Sequence, residues 1–232
     1  MLPTPASLLG ELPLFAAVAP PDRERIAAVG HLRSYRDGEV LFREGDIPDS
    51  FLFVIDGLVK LVKSTPAGKE VILEIFGAGD PVGVVAAYAG QPLPATAEAL
   101  TTARCLAIPA GAFFALLEAH PKLVRGLLAG LTHRLVELTN RLSELAGARV
   151  EERLARLLLR KAGELGTKVG AGTFVPLALS RQELADLAGT TLETAIRVMS
   201  RWGKRNLVET RDDGFVLLDA RALAGIAGID AA

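Results

Sequence analysis

Apolar and polar residues change rhythm twice along this 232-residue chain. Between His31 and Pro109 the apolar runs are short: Glu39-Val40-Leu41-Phe42, Ser50-Phe51-Leu52-Phe53-Val54-Ile55, Leu58-Val59-Lys60-Leu61-Val62, Val71-Ile72-Leu73-Glu74-Ile75 and Arg104-Cys105-Leu106-Ala107-Ile108. Turn-forming clusters separate them at Arg36-Asp37-Gly38, Glu44-Gly45-Asp46, Asp56-Gly57, Pro66-Ala67-Gly68 and Gly77-Ala78-Gly79-Asp80. Short strands at such regular spacing predict a small antiparallel sandwich or barrel. Leu58–Ser64 and Glu70–Ile75, joined by Pro-Ala-Gly, predict one hairpin. A short helix is expected before the first strand, about Pro20 to Val29.

The second rhythm is helical. Leu128, Leu131, Leu135, Leu138, Leu142 and Leu145 are spaced 3, 4, 3, 4 and 3, an a/d seam over nearly three heptads. Glu137, Arg141 and Glu144 lie off the seam. Such a seam could face its own barrel. On a helix of some 25 residues from about Pro121, however, leucine alone at every seam position fits better with a twin helix, so a parallel homodimer is expected. Gly147 breaks the pattern and predicts a hinge.

From about Val150 an apolar-periodic helix (Glu151–Leu165), a Gly-rich loop (Gly166–Thr173) and a short strand (Phe174–Leu177) are expected. Ser180-Arg181-Gln182-Glu183 then has the form of a capping box, and Gly189 stops the helix it starts. Thr190-Thr191-Leu192-Glu193 restarts one with a second Thr-x-x-Glu box. Two short helices joined by a Gly-containing turn make a helix-turn-helix. On its second helix Ala195, Val198, Met199 and Trp202 share an inward side. Leu192, Glu193, Ile196, Arg197, Ser200 and Arg201 lie largely outward. Leu207–Thr210, a turn at Arg211–Gly214 and Phe215–Leu218 add a hairpin, so the module is winged.

Charge changes the picture only locally. The chain carries 26 Lys+Arg against 27 Asp+Glu, so bulk electrostatics say nothing for nucleic acid. Yet Arg197, Arg201, Lys204 and Arg205 follow one another with no acid between them. In a major groove Arg can bind both acceptors of a guanine, Glu can accept from cytosine, and Leu192 or Ile196 can meet thymine methyls. Capped helices, turn, apolar spacing and basic face therefore agree on double-stranded DNA. Half the residues are apolar, which excludes disorder, and the single cysteine excludes a disulfide scaffold. No signal peptide or membrane span is evident, and a cytoplasmic protein is expected. Nothing asks for catalysis: there is no nucleophile elbow, metal-spaced His pair or Gly-Lys phosphate loop.

Over essentially its whole length the chain resembles the CRP/FNR family of bacterial transcription regulators. The resemblance rests on Gly38-Glu39-Val40-Leu41-Phe42-Arg43-Glu44-Gly45-Asp46, Gly57 and Gly79-Asp80-Pro81-Val82-Gly83. It continues in Leu179–Gly189 and Glu193-Thr194-Ala195-Ile196-Arg197. It implies an α+β protein in three parts. These are a cyclic-nucleotide-binding-like jelly-roll barrel (residues 1–120), a dimerisation helix with its hinge (121–147) and a winged helix-turn-helix domain (148–232). It also implies that Glu193 and Arg197 read a TTG- or TGTGA-like half-site, with Ser180, Arg181, Gln182, Thr191 and Thr194 near phosphates, and that RNA polymerase is a partner. Leu192 stands where cAMP-binding members place a base-reading Arg, which favours an FNR-like half-site. Ile196, where FNR-like members often carry Ser, leaves the central bases open.

The same resemblance sets the effector question. In cAMP-binding members the segment after Gly79-Asp80-x-x-Gly83 supplies a Glu to the ribose and an Arg-Ser pair to the phosphate. Here Val84 holds the Glu position, and the loop reads Gly90-Gln91-Pro92-Leu93-Pro94-Ala95-Thr96-Ala97. A buried phosphate without a cation costs several kcal/mol, so cAMP is not expected. Arg104 is the nearest obvious cation. Thr139 and Asn140 fall where cAMP members place their adenine contacts. The expected pocket therefore comprises Gly83, Val84, Val85, Leu93, Pro94, Ala95, Thr96, Thr139 and Asn140, suited to an apolar or redox-linked ligand or to none. One cysteine excludes an iron–sulfur cluster, which needs four thiolates. Haem would need His31, His120, His133 or Cys105, none of which sits in a supporting pattern, and no metal site is expected.

Overall fold

Two of the expected strands are apolar at successive positions instead of alternating, and the fold gives the reason. The computed structural model describes residues 5–16, 18–65 and 70–229. The chain divides into two compact units, Met1–Leu135 and Val136–Ala232.

The first unit opens with helices α1 (Pro5–Glu11) and α2 (Pro20–Val29). Strands β1 (His31–Tyr35), β2 (Val40–Phe42), β3 (Ser50–Asp56), β4 (Val59–Ser64), β5 (Glu70–Phe76) and β6 (Pro81–Val82) follow, then helix α3 (Val84–Ala89), β7 (Thr96–Ala99) and β8 (Ala103–Pro109). Helix α4 (Ala110–Ala119) leads into α5 (Pro121–Gly147). Two antiparallel four-stranded sheets, ordered β1-β8-β3-β6 and β2-β7-β4-β5, make the jelly roll. Leu52, Val54, Cys105 and Ala107 share one core with Val59, Ala97 and Ala99 of the opposite sheet. Phe51, Phe53, Leu106 and Ile108, the alternate residues, pack with Leu9, Phe15, Phe113, Leu123 and Leu127 of the helices. β3 and β8 are thus buried on both faces, which is why their sequences run apolar without a break. Phe113 closes that second core, with its ring centroid 4.3 Å from Phe51 and 5.5 Å from Phe53.

The second unit continues α5 and adds α6 (Val150–Leu165), β9 (Thr167–Val169), β10 (Gly172–Val175), α7 (Arg181–Leu187) and α8 (Leu192–Lys204). Strands β11 (Val208–Arg211) and β12 (Gly214–Leu217) and helix α9 (Ala220–Ala227) complete it. Its sheet runs β11-β12-β10-β9.

Several expectations need correction. The Gly-rich stretch 166–173 is not a loop: β9 pairs with β10 there, Gly172 facing Val169. The expected loop Gly90–Ala97 ends early, since Thr96 and Ala97 begin a strand paired with β4. Helices α1 and α4 were not expected; both contribute to the core over β3. The wing turn is tighter than expected, since Arg211 already pairs with Gly214. The Pro66-Ala67-Gly68 turn lies outside the described residues, although β4 and β5 do pair antiparallel on either side of it.

α5 also explains why the unit boundary falls inside a helix and not at residue 120 or 147. Leu123 and Leu127 are buried in the barrel's core and Leu131 is half-buried against it. Beyond them the seam is open: Leu135 is 64% and Leu142 68% exposed, and Leu128, Leu138 and Leu145 are exposed too.

Candidate nucleic-acid interface

The winged unit is built around one buried indole. Trp202 of α8 is fully buried together with Ala195, and Val198 and Met199 complete the inward side. That burial fixes which side of α8 faces out: Leu192, Glu193, Ile196, Arg197, Ser200 and Arg201 are all exposed, as expected from the helical spacing.

Caps set where each helix starts. The Ser180 hydroxyl accepts from the Glu183 N–H at 3.1 Å, and the Glu183 carboxylate accepts from the Ser180 N–H at 3.0 Å, a complete capping box. α8 begins differently from the expected Thr190-x-x-Glu193 box. Its N-cap is Thr191, whose hydroxyl accepts from the Thr194 N–H at 3.3 Å. Gly189 makes the turn at φ +60°, and a Cβ there would strike the Leu145 side chain. At the other end Asn206 takes φ +52°, and the Leu207 N–H donates to Trp202 O, closing the helix.

Two arginines that sequence reasoning missed hold the turn. The Arg153 guanidinium donates to Ala148 O (2.6 Å), Ala188 O (2.8 Å) and Gly189 O (3.0 Å). Arg141 donates to Leu187 O at 3.0 Å. Four carbonyls around the hinge and the end of α7 are thereby satisfied by cations, the favourable sign at a helix C-terminus. Neither stands out locally, since Arg141 lies off the leucine seam and Leu187, Ala188 and Gly189 are distant in sequence from both.

The ten expected DNA residues separate into two groups. Leu192, Glu193, Ile196 and Arg197 form a continuous exposed surface, with Thr194 half-buried beside it. Glu193 and Arg197 stand one turn apart, and no ion pair joins them. The others have polar groups engaged within the domain. Arg181 donates to Thr210 Oγ1 of the wing at 2.7 Å and lies over the Phe215 ring; desolvation there lowers its pKa. Gln182 donates to Asp186 at 2.9 Å, and Thr191 shares its hydroxyl with Thr194. Arg201 pairs with Glu151 at 2.6 Å, so the run of cations on α8 is not acid-free in space.

Both halves of the sequence match family models: Cyclic nucleotide-binding domain over residues 32–120 and Crp-like helix-turn-helix domain over 152–226. The chain belongs to the CRP/FNR family of transcription regulators. The CRP-like cAMP-activated global transcriptional regulator of Mycobacterium tuberculosis is 28% identical over 187 residues, covering 81% of this chain and 84% of that one. The nitrogen fixation regulation protein FixK of Bradyrhizobium diazoefficiens is 28% identical over 199 residues, 86% of this chain and 83% of its own. The solved structure of CLP, the c-di-GMP-responsive global regulator of Xanthomonas campestris, superposes at TM-score 0.70 and 28% identity, over 87% of this chain and 100% of that one. As a CRP/FNR regulator the chain carries a DNA-binding helix-turn-helix. Among the described residues no helix is long and apolar enough to cross a membrane.

Within the first unit the expected effector residues do not all line one cleft. Gly83 and Leu93 line a cleft of about 300 Å³ with Arg33, Phe42, Asp46 and Asp49. Val84 and Ala95 are buried, and Val85 and Pro94 are exposed. Thr96 accepts from the Glu44 N–H at 3.0 Å. In the second unit Asn140 lines a cleft with Glu144, Glu152 and Arg156, and Thr139 lies on the same part of α5. A Cβ on Gly83 would come within 2.9 Å of Leu93 and 3.3 Å of the Phe42 ring, so apolar side chains fill that corner. The cation nearest the loop is not Arg104, which pairs with Asp56 at 3.3 Å. It is Lys63, which donates to Pro94 O at 2.7 Å and pairs with Glu44 at 3.0 Å. Cys105 is fully buried, and desolvation pushes its thiol up to about 12. His120 pairs with Asp22 at 3.1 Å, His31 opens β1, and His133 is exposed on α5.

Proposed function

We propose that the protein binds a two-fold symmetric DNA site as a homodimer, with α8 of each chain in a major groove. One observation carries this reading: Glu193 and Arg197 project from the same exposed surface without pairing with each other. An unpaired Glu can accept from a cytosine amino group, and an unpaired Arg can bind guanine at N7 and O6. Ile196 and Leu192 beside them fit thymine methyls. The leucines of α5 support the dimer. Leu128, Leu135, Leu138, Leu142 and Leu145 are exposed along one stripe, a costly surface for a monomer and a ready seam for a parallel pair. Two recognition helices then lie about 34 Å apart, one turn of DNA, which makes the site a palindrome. The bound dimer acts on RNA polymerase, in the cytoplasm.

The barrel supplies the control. By its name the Mycobacterium relative answers to cAMP, and CLP answers to c-di-GMP. Here Val84, Leu93 and Pro94 stand where the cAMP-type ribose and phosphate partners are expected, and the Lys63 charge is already met by Glu44. We therefore assign the barrel a ligand without a phosphate, apolar or redox-linked. Such a ligand shifts the dimer helices only by its different affinity for their two arrangements.

Arg197→Ala tests the first half of this reading. Affinity for the selected site should fall by about 1–3 kcal/mol and one guanine position should lose its preference. An unchanged footprint refutes the assignment. For the second half, cAMP at millimolar concentration should leave the melting temperature unmoved; a clear rise overturns it.

A further inference from the structure

The first turn of α6 carries one carboxylate with two partners on the recognition helix. Glu151 Oε1 accepts from the Trp202 indole N–H at 2.9 Å, and Oε2 pairs with the Arg201 guanidinium at 2.6 Å. The first contact is what a fully buried indole requires, since its N–H must find an acceptor. The second is not required by burial. The Arg201 side chain is 47% exposed and stands one turn beyond Arg197 on the outward side of α8. Arg197, Lys204 and the C-cap residue Arg205 enter no ion pair among the described residues, whereas Arg201 does.

We infer that Glu151 is a positioning residue for DNA binding: it holds Arg201 back from the phosphate backbone and so sets the sequence-independent part of the affinity. This rests on the reading of the outward side of α8 as the DNA surface. A phosphate contact is blind to sequence, but it strengthens binding to every duplex and steepens the salt dependence. A free arginine beside the reading face would add one such contact for each chain. The carboxylate removes it, and does so from α6, whose neighbouring Arg153 fixes the helix-turn-helix turn. One helical turn thereby holds both helices of the module.

Glu151→Gln separates the two contacts, because the amide oxygen can still accept from Trp202 while the charge on Arg201 loses its partner. Binding of the full-length protein to a random-sequence duplex is measured from low to moderate salt for wild type, E151Q, R201A and the double variant. For E151Q the slope of log K against log salt should steepen by about 0.9 for each recognition helix bound. R201A alone should leave the wild-type slope unchanged, and adding it to E151Q should restore that slope. An E151Q slope equal to wild type overturns the inference, and so does an R201A slope shallower by about 0.9, which would mean Arg201 already touches phosphate. Should E151Q fail to fold, an R201A slope shallower by about 0.9 still overturns the inference. Arg197→Ala serves as the control: if it leaves specific binding intact, the DNA surface itself has been misassigned. If it weakens binding while the slopes stay fixed under E151Q, only the role of Glu151 fails.

Discussion

The barrel and the winged domain share a chain and both use polar side chains to fix turns, Glu39, Asp46 and Asp80 doing so in the barrel, yet what else holds each of them differs. In the winged domain they fix the backbone: Ser180 with Glu183, Thr191 with Thr194, and Arg153 on three carbonyls, each set by distances near 3 Å. Reading DNA demands that rigidity, because a recognition helix a turn out of place reads nothing. In the barrel the interior between the sheets is packed mainly by apolar side chains, among them Leu52, Val54, Val59, Phe76, Ala97 and Ala107, and Leu93 and Phe42 crowd the corner by Gly83. A jelly roll tolerates this, since apolar filling costs the sheets nothing. The barrel's fold therefore rests on apolar packing, and the winged domain's rests in addition on directed hydrogen bonds to its turn.

The sharpest way to break the comparison is to sever what both domains share. Leu135→Lys or Leu138→Lys places a charge on the exposed stripe of α5 without touching the buried Leu123 and Leu127. Each variant should sediment as a folded monomer and lose about 10²–10⁴-fold in affinity for the palindrome, the avidity of the second half-site. Intact dimers would place the seam elsewhere.

Next in size is Arg153→Ala. Hydrogen bonds to a charged group contribute about 1.5–3 kcal/mol each way of counting, and three carbonyls lose their donor together. Unfolding of the winged domain should shift by about 2–4 kcal/mol while the barrel's transition stays put, as two calorimetric transitions would show. A shift of the barrel instead would deny the division of labour.

How much of this was legible follows the same line. Capping boxes, the Gly189 turn and the inward set Ala195, Val198, Met199 and Trp202 are local signals, fixed by spacing within a few residues. The doubly buried strands β3 and β8 were visible as unbroken apolar runs. What stayed hidden depends on distance in sequence: Arg153 meeting Gly189, Glu151 meeting Arg201, Lys63 meeting Pro94. Helix α3 was hidden for another reason. Val84-Val85-Ala86-Ala87-Tyr88-Ala89 is only six residues long, too short for a helical period to show.

The barrel has its own titration. Folded, Cys105 keeps its proton up to about 12; unfolded, it loses it near 9. Between those values the unfolded chain binds fewer protons than the folded one, so stability falls as pH rises. By pH 10 the loss should reach about 1.4 kcal/mol, one unit's worth of linkage. In Cys105→Ala the barrel's stability should be flatter between pH 8 and 10. Tyr35, whose pKa burial also raises, adds its own decline only above its ordinary value of 10. The winged domain has no cysteine and should show no such slope, and a decline there would remove the contrast.

The smallest effect distinguishes two adjacent hydroxyls. Sequence spacing nominated Thr190 with Glu193 as the start of the recognition helix, but the cap is Thr191, accepting from Thr194. Loss of an N-cap threonine costs about 1 kcal/mol, and it acts on the first turn, where Leu192 and Glu193 sit. Thr191→Ala should therefore lower the winged domain's stability by about 1 kcal/mol and weaken DNA binding through the disordered first turn. Thr190→Ala removes no cap bond and should change neither. Equal effects from the two would mean that the helix starts one residue earlier than Thr191 allows. The outward side of α8 would be unchanged by that shift, because the spacing of Glu193 and Arg197 from the buried Trp202 sets it.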